Sequence, residues 1–335
     1  LQASRNDILD TLGVAIAGVD TPGCRELIAT LRAAYPGTQA GILCSGLRTS
    51  APEAALANAT LAHALDFDDT HDKAFLHAGI SVVPAALAMA EYLGRPVSGR
   101  EFLTAVTLGI DWICRMGLAS RLAPLASGWM YTSVYGYFGA TATCARLLGL
   151  DAERTLAAIG IVYAQAAGNM QCIVDGSLTK RMQPGFAARA GVLSALLAQQ
   201  GVSGARNVLD GEAGLYRVYL RDAYDRDRLL QGLGTHFEGV NLSFKLYPSC
   251  RYTHTAIDAA LELAQTHPID PAAVERITVG LNQHAYKNVC TPREVRIRPQ
   301  TVVDAQFSIP YCVAVAIAAR SEEHTSELQS LAYLV

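Results

Sequence analysis

Lysine is almost missing from this chain. Lys73, Lys180, Lys245 and Lys287 are the four in 335 residues, and arginine supplies the other 23 of 27 cations. No run of basic residues occurs, and the net charge is −3. Nucleic acid and anionic membrane are therefore not expected as partners. None of the eight cysteines forms a CxxC pair, which argues against a zinc site, an iron–sulfur cluster or a disulfide framework. A reducing, cytoplasmic setting fits best. Apolar runs such as Val82–Ala90, which contains Pro84, fall short of the ~20 residues of a membrane span. A GxxxxGK[ST] loop and a dinucleotide fingerprint are also missing. The expectation is an enzyme or binding protein with no metal and no cofactor.

What is present is apolar. Hydrophobic residues make up 51% and charged residues 17%, the mix of a globular chain with a large core. Helical periodicity dominates the first two-thirds. Helices are expected over Ile8–Ile16, Ala51–Leu65, Pro84–Leu93, Gly99–Met116, Ser133–Leu150, Leu156–Ala167, Ala187–Gln200 and Thr255–Gln265. Gly136, Gly139, Ala140 and Thr143 would give one of them a face of small residues for close packing. After Pro271 the pattern alternates over Val274–Leu281, which predicts a strand, and a further helix is expected at Ala305–Ala319. The fold class is thus mostly α: a helical domain over 1–267 and an incomplete α+β domain over 268–319. Arg320–Ser330 resembles the translation of a sequencing adaptor, so 320–335 is expected to be a non-native tail. The start at Leu1, not Met, points to an incomplete N-terminus.

Three polar clusters stand out. Asp66–Gly79 puts four carboxylates and two histidines between apolar helices. Acid–base chemistry is one reading, and a solvated loop with Asp69 or Asp72 capping the next helix is the other. Gly176–Gly185 carries Lys180 and Arg181 just before a helix. It is either a carboxylate-binding turn or an ordinary basic turn. Phe244–His254 leads into a helix where Asp258 follows His254 by four residues and faces it. Cys250 and His254 also admit a thiol-enzyme reading, although no signature surrounds the cysteine.

Together these segments resemble the MmgE/PrpD family, which includes 2-methylcitrate dehydratase and cis-aconitate decarboxylase. The resemblance runs from about Ile8 to Ala319. It is carried by Asp10–Gly18, Ala62–Thr70, Val83–Ala88, Thr179–Arg189, Tyr247–Arg251 and Gln306–Tyr311. It implies a helical domain plus a smaller α+β domain, a homodimer, no metal or cofactor, and an active site between the domains. By motif position it implies catalytic roles for Asp66, His77, Lys180, His254 and Tyr311. Thr70, Lys245 and Arg251 are implied as substrate-binding residues. Asp66 would orient His77 or its partner. The implied reaction is lysis of a small di- or tricarboxylic acid, with dehydration first, and decarboxylation, epimerisation or carboxylate binding alone as alternatives. The chain departs from the family at Met130 and Gln183, which stand where histidines are usual, and at Ala78, where proline is common.

Overall fold

A computed structural model describes residues 1–319, and the expected tail at 320–335 lies outside the described residues. The backbone is mostly helical. The long helices are α1 (Gln2–Gly18), α2 (Cys24–Ala34), α3 (Ala51–His63), α4 (Gly79–Tyr92), α5 (Gly99–Ala119), α6 (Tyr131–Leu148), α7 (Ala152–Tyr163), α8 (Thr179–Gln199), α9 (His254–Thr266) and α10 (Ile309–Ala319). One short antiparallel pair, Ala40–Gly41 with Arg48–Thr49, is the sheet of the described residues.

Contacts group the chain into two compact units. One holds Leu1–Met170 and Arg181–Phe244, and the other holds Gln171–Lys180 and the chain from Lys245 onward. The sequence puts the change of pattern at His267–Pro271, whereas contacts group Lys245–Thr266 with the residues C-terminal to it.

In the first unit α3 is buried at nearly every position, because its alanines let neighbours close on several sides at once. It packs against α1 and α4, and α4 in turn packs against α6. The expected small-residue face of α6 is used. A Cβ on Gly139 would stand 2.9 Å from the Gly109 carbonyl oxygen of α5, and one on Gly109 would stand 2.8 Å from the Gly139 carbonyl. The two backbones therefore touch where they cross. A Cβ on Gly136 would lie 2.6 Å from the Ser81 hydroxyl of α4. By length and composition α5 is apolar enough to cross a membrane, but 61% of its most apolar stretch is buried, as in a core helix.

A buried ion pair fastens a long loop to α5. Arg115 donates from Nε to Asp111 at 2.7 Å. Its other nitrogens donate to the carbonyls of Leu229 (3.3 Å), Gln231 (2.7 Å) and His236 (2.5 Å). The second Asp111 oxygen accepts from the Glu238 backbone N–H at 2.8 Å. Pairing is what makes two buried charges tolerable here.

In the second unit α9 packs on α10. Residues 171–180 join it through Gly176, where a Cβ would meet the Thr301 hydroxyl at 2.6 Å and the Asp304 carboxylate at 2.8 Å. The expected strand at Val274–Leu281 does not form: that stretch is irregular and lies at the surface. No strand lies beside it among the described residues, and a strand without a partner leaves its backbone groups unpaired. The expected helix at Ala305–Ala319 is two pieces, Val302–Gln306 and α10, separated at Phe307–Ser308.

Candidate active site

Because α3 ends at His63 and α4 starts at Gly79, the acidic cluster is the link between two core helices. Its fold is set by its own carboxylates. Asp69 accepts from the N–H groups of Ala78 (2.9 Å) and Gly79 (3.0 Å), so it caps α4, one of the two caps the sequence offered. Burial pushes its carboxyl well above the ordinary carboxylate range, and the charges of Asp68 and Asp7 add to the effect. Asp66 is buried with φ +53°, a left-handed conformation that a non-glycine residue adopts at some cost. Thr70 exchanges backbone bonds with Ser243, both at 2.8 Å, which closes the loop on its outer side.

Asp7 of α1 lies behind this cap. It is buried, and neither of its carboxylate oxygens has a hydrogen-bond partner. Burial, with the Asp10 charge adding to it, pushes the carboxyl up to about 7 from an ordinary 3.8. Between those values the folded chain keeps a proton that the unfolded chain has released, so stability falls as pH rises across that window. Asp7→Asn is expected to raise Tm at pH 8 and to leave it nearly unchanged at pH 4. The same Tm shift at both pH values would show that another group titrates.

His77 sits at the centre of the link with its side chain 19% exposed, enough to meet a ligand. Its Nδ1 lies 2.5 Å from the Asp69 carbonyl, 3.1 Å from the Thr70 hydroxyl and 3.4 Å from Asp68 Oδ2. A carbonyl oxygen can only accept, so Nδ1 carries the proton and Nε2 is the basic nitrogen. The His77 backbone N–H donates to Thr132 of α6 at 3.0 Å. Asp68 Oδ2 also accepts from His63 Nδ1 at 2.9 Å, and the two imidazole rings are 5.4 Å apart. Asp66 belongs to the same buried group: ligand atoms of His63, Asp66 and Asp68 lie within 4.8 Å of one another. Within that group His63 Nδ1 donates to the ionised Asp68 carboxylate.

Beside this link a cavity of about 530 Å³ is lined by His71, Lys73, Arg228, Gln231, His236 and Glu238 among others. The His63–Asp68–His77 cluster is not among its walls.

The second unit holds the remaining expected site residues. Lys180 lies in the first turn of α8, which starts eight residues before the Ala187 expected from sequence, so the basic cluster is helix rather than turn. Its buried ammonium lies over the Phe307 ring, 5.3 Å from the centroid. Lys245 is buried and Arg251 half-buried. His254 begins α9, with Nε2 3.3 Å from the Ser249 carbonyl. Asp258 accepts from the Tyr247 phenol at 2.7 Å, and the Tyr247 ring stands edge-on to His254 at 5.2 Å. The Tyr311 hydroxyl is buried without a hydrogen-bond partner among the described residues, and burial pushes its phenol upward. A buried hydroxyl of this kind is costly unless a ligand completes it.

Sequence reasoning passed over His63 and Asp68 as site residues and over Arg115 with Asp111. The Asp111–Arg115 spacing of four on a helix was an available signal. Gln183, where a histidine is usual, braces a loop: its amide accepts from Asn169 N–H at 2.7 Å and donates to the Asn169 carbonyl at 3.0 Å.

The MmgE/PrpD N-terminal domain matches residues 1–226, and the MmgE/PrpD C-terminal domain matches residues 247–328. The chain belongs to the MmgE/PrpD family. Within it, the chain is 30% identical to a cis-aconitate decarboxylase-like protein of Aspergillus oryzae, over 95% of this chain and 69% of that protein. It is 28% identical to a cis-aconitate decarboxylase of Aspergillus terreus over 95% of this chain and 67% of that one. It is 23% identical to the 2-methylcitrate dehydratase of Escherichia coli over 82% of this chain and 59% of that enzyme. As a MmgE/PrpD protein it thus has both decarboxylase and dehydratase relatives.

Proposed function

We propose that the full-length protein is a cofactor-independent lyase of a small tricarboxylic acid, with decarboxylation of a cis-aconitate-like substrate as its first candidate reaction. The observation that carries this reading is His77, whose Nδ1 is held as a donor so that Nε2 is left as the basic nitrogen. The relatives weight the reaction: the two Aspergillus proteins are 30 and 28% identical, against 23% for the dehydratase. Dehydration of a 2-methylcitrate-like acid is the second reading and uses the same groups.

In either reaction a proton is transferred to or from carbon and negative charge spreads into a carboxylate. His77 Nε2 is assigned the proton, with Asp66 and Thr70 in its loop. Lys180, Lys245 and Arg251 are assigned the substrate carboxylates, since cations there would disperse the developing charge. Tyr311 is assigned a hydrogen bond or proton through its buried hydroxyl, and His254 a second proton-transfer role. In decarboxylation a C–C bond breaks, CO₂ leaves, and the electron pair left on the substrate takes a proton from His77 in its imidazolium form, which solvent then reprotonates. In dehydration His77 takes the proton, the C–O bond breaks and a donated proton lets the hydroxyl leave as water.

The test is to incubate the full-length protein with cis-aconitate and with 2-methylcitrate, following CO₂ release and alkene absorbance. Turnover of one of them, unaffected by a chelator, is expected. Loss of activity on chelation would overturn the metal-free assignment, and no turnover of either acid would overturn the proposed function.

A further inference from the structure

We propose that Asp68 and His63 are positioning residues that set the basicity of His77, forming a buried His63–Asp68–His77 array. The inference rests on the reading of His77 as the proton-transfer group. Asp68 is fully buried, and one oxygen, Oδ2, serves both rings: 2.9 Å from His63 Nδ1 and 3.4 Å from His77 Nδ1. The two histidines do different work. Nδ1 of His77 is taken mainly by the Asp69 carbonyl at 2.5 Å, which fixes the tautomer and the ring plane. Asp68 is then an electrostatic partner rather than the primary acceptor. When His77 Nε2 gains a proton, the imidazolium charge appears beside a carboxylate shielded from water, where attraction is weakly screened. His63, donating to the same oxygen, keeps that carboxylate ionised and in place.

The array is assembled by the fold. His63 is the last residue of α3, and Asp68 follows it by five. The left-handed Asp66 (φ +53°) turns the chain back so that Asp68 faces His63. The titratable groups around the array include Asp66 and Asp69 of the same link, Asp7 and Asp10 of α1 behind Asp69, the buried Arg181 of α8 that interacts with Asp66, and Cys114 of α5 that interacts with Asp69. From α6 comes the uncharged Thr132 hydroxyl. Whichever of these carboxylates are ionised would also favour a protonated His77 and Arg181 would oppose it, so the Asp68 contribution has to be isolated by substitution.

The experiment is a titration of ¹⁵N-histidine-labelled full-length protein, read from the ring nitrogens of His77 and needing no substrate. Asp68→Asn is expected to lower the His77 midpoint by about one pH unit, a tenfold change in proton affinity. His63→Phe should shift it in the same direction. His63→Asn, whose amide can stand where Nδ1 stood, should restore it. In kinetics, the limb of the kcat/KM profile governed by His77 should move to lower pH in step, with KM little changed. An unmoved midpoint in folded Asp68→Asn overturns the proposal. If that variant does not fold, equal midpoints for His63→Phe and His63→Asn overturn it. Failure of the full-length protein to turn over any tricarboxylate would sink the functional reading, and the titration would still decide the array.

Discussion

His77→Ala in the full-length protein is expected to lower kcat by roughly 10²–10⁴-fold with little change in KM, the usual size of a lost general acid or base. The substituted side chain is partly exposed and surrounded by the caps of the link, not by core, so the fold should survive its removal. Asp69 still caps α4 in the variant through Ala78 and Gly79. The backbone N–H of residue 77 can still reach Thr132. Lys180→Met offers the contrast: removing the cation proposed to bind a substrate carboxylate should raise KM as well as slow turnover. Single-turnover measurement on the substrate that the full-length protein accepts separates the two. A His77→Ala enzyme retaining more than a tenth of parental kcat would remove His77 from the chemical step.

Arg115→Met is expected to lower stability by about 3–5 kcal/mol, because it leaves a buried carboxylate without its partner. Three carbonyls, of Leu229, Gln231 and His236, lose their donor at the same time. The double variant Asp111→Ala/Arg115→Met should cost less than the sum of the single changes, since the orphaned charge is then gone. Urea midpoints at constant m read both effects. A loss below ~1 kcal/mol for Arg115→Met would mean that water replaces the guanidinium there.

How far the fold was legible depends on what sets each element. α3, α5 and α6 are set by a periodic apolar face or by small residues, and sequence places each within a few residues of its observed ends, whereas α1 starts six residues before the expected Ile8 and buries Asp7, Thr11 and Val14 rather than Leu9 and Ile16. α4 and α8 begin earlier than expected because Pro84 and Pro184 suggest a start, whereas each lies inside its helix. A proline near a helix start forfeits one backbone bond, and that loss is covered by packing. The segment 274–281 alternates as a strand would, but alternation cannot supply a neighbour. α2, whose Leu27, Ile28 and Leu31 form a clear apolar face, and the short pair at 40–49 are absent from the sequence expectation.

Within the site, Asp69 as a helix cap was readable from its place before α4. The His63–Asp68 bond was not: His63 reads as one more residue of a buried alanine-rich helix. Its partner becomes visible only when Asp66 turns the chain back. The family resemblance supplied His77, Lys180 and Tyr311 by position, but it said nothing of which His77 nitrogen holds the proton. That is decided by a carbonyl oxygen at 2.5 Å.

The burial of most of the cysteines has a chemical consequence under the proposed reaction, whose product is an unsaturated acid. A carbon–carbon double bond conjugated to a carboxyl group is an electrophile, and thiolates are the protein groups that add to it. Burial raises the thiols of Cys24, Cys114, Cys144 and Cys290 above their ordinary value and pushes that of Cys312 up to about 12. Those sulfurs stay protonated and out of reach. Cys44, exposed between the two short strands, and the half-buried Cys250 are the sulfurs open to alkylation. The core that packs the helices therefore also keeps these five sulfurs from adding to a product of the proposed reaction.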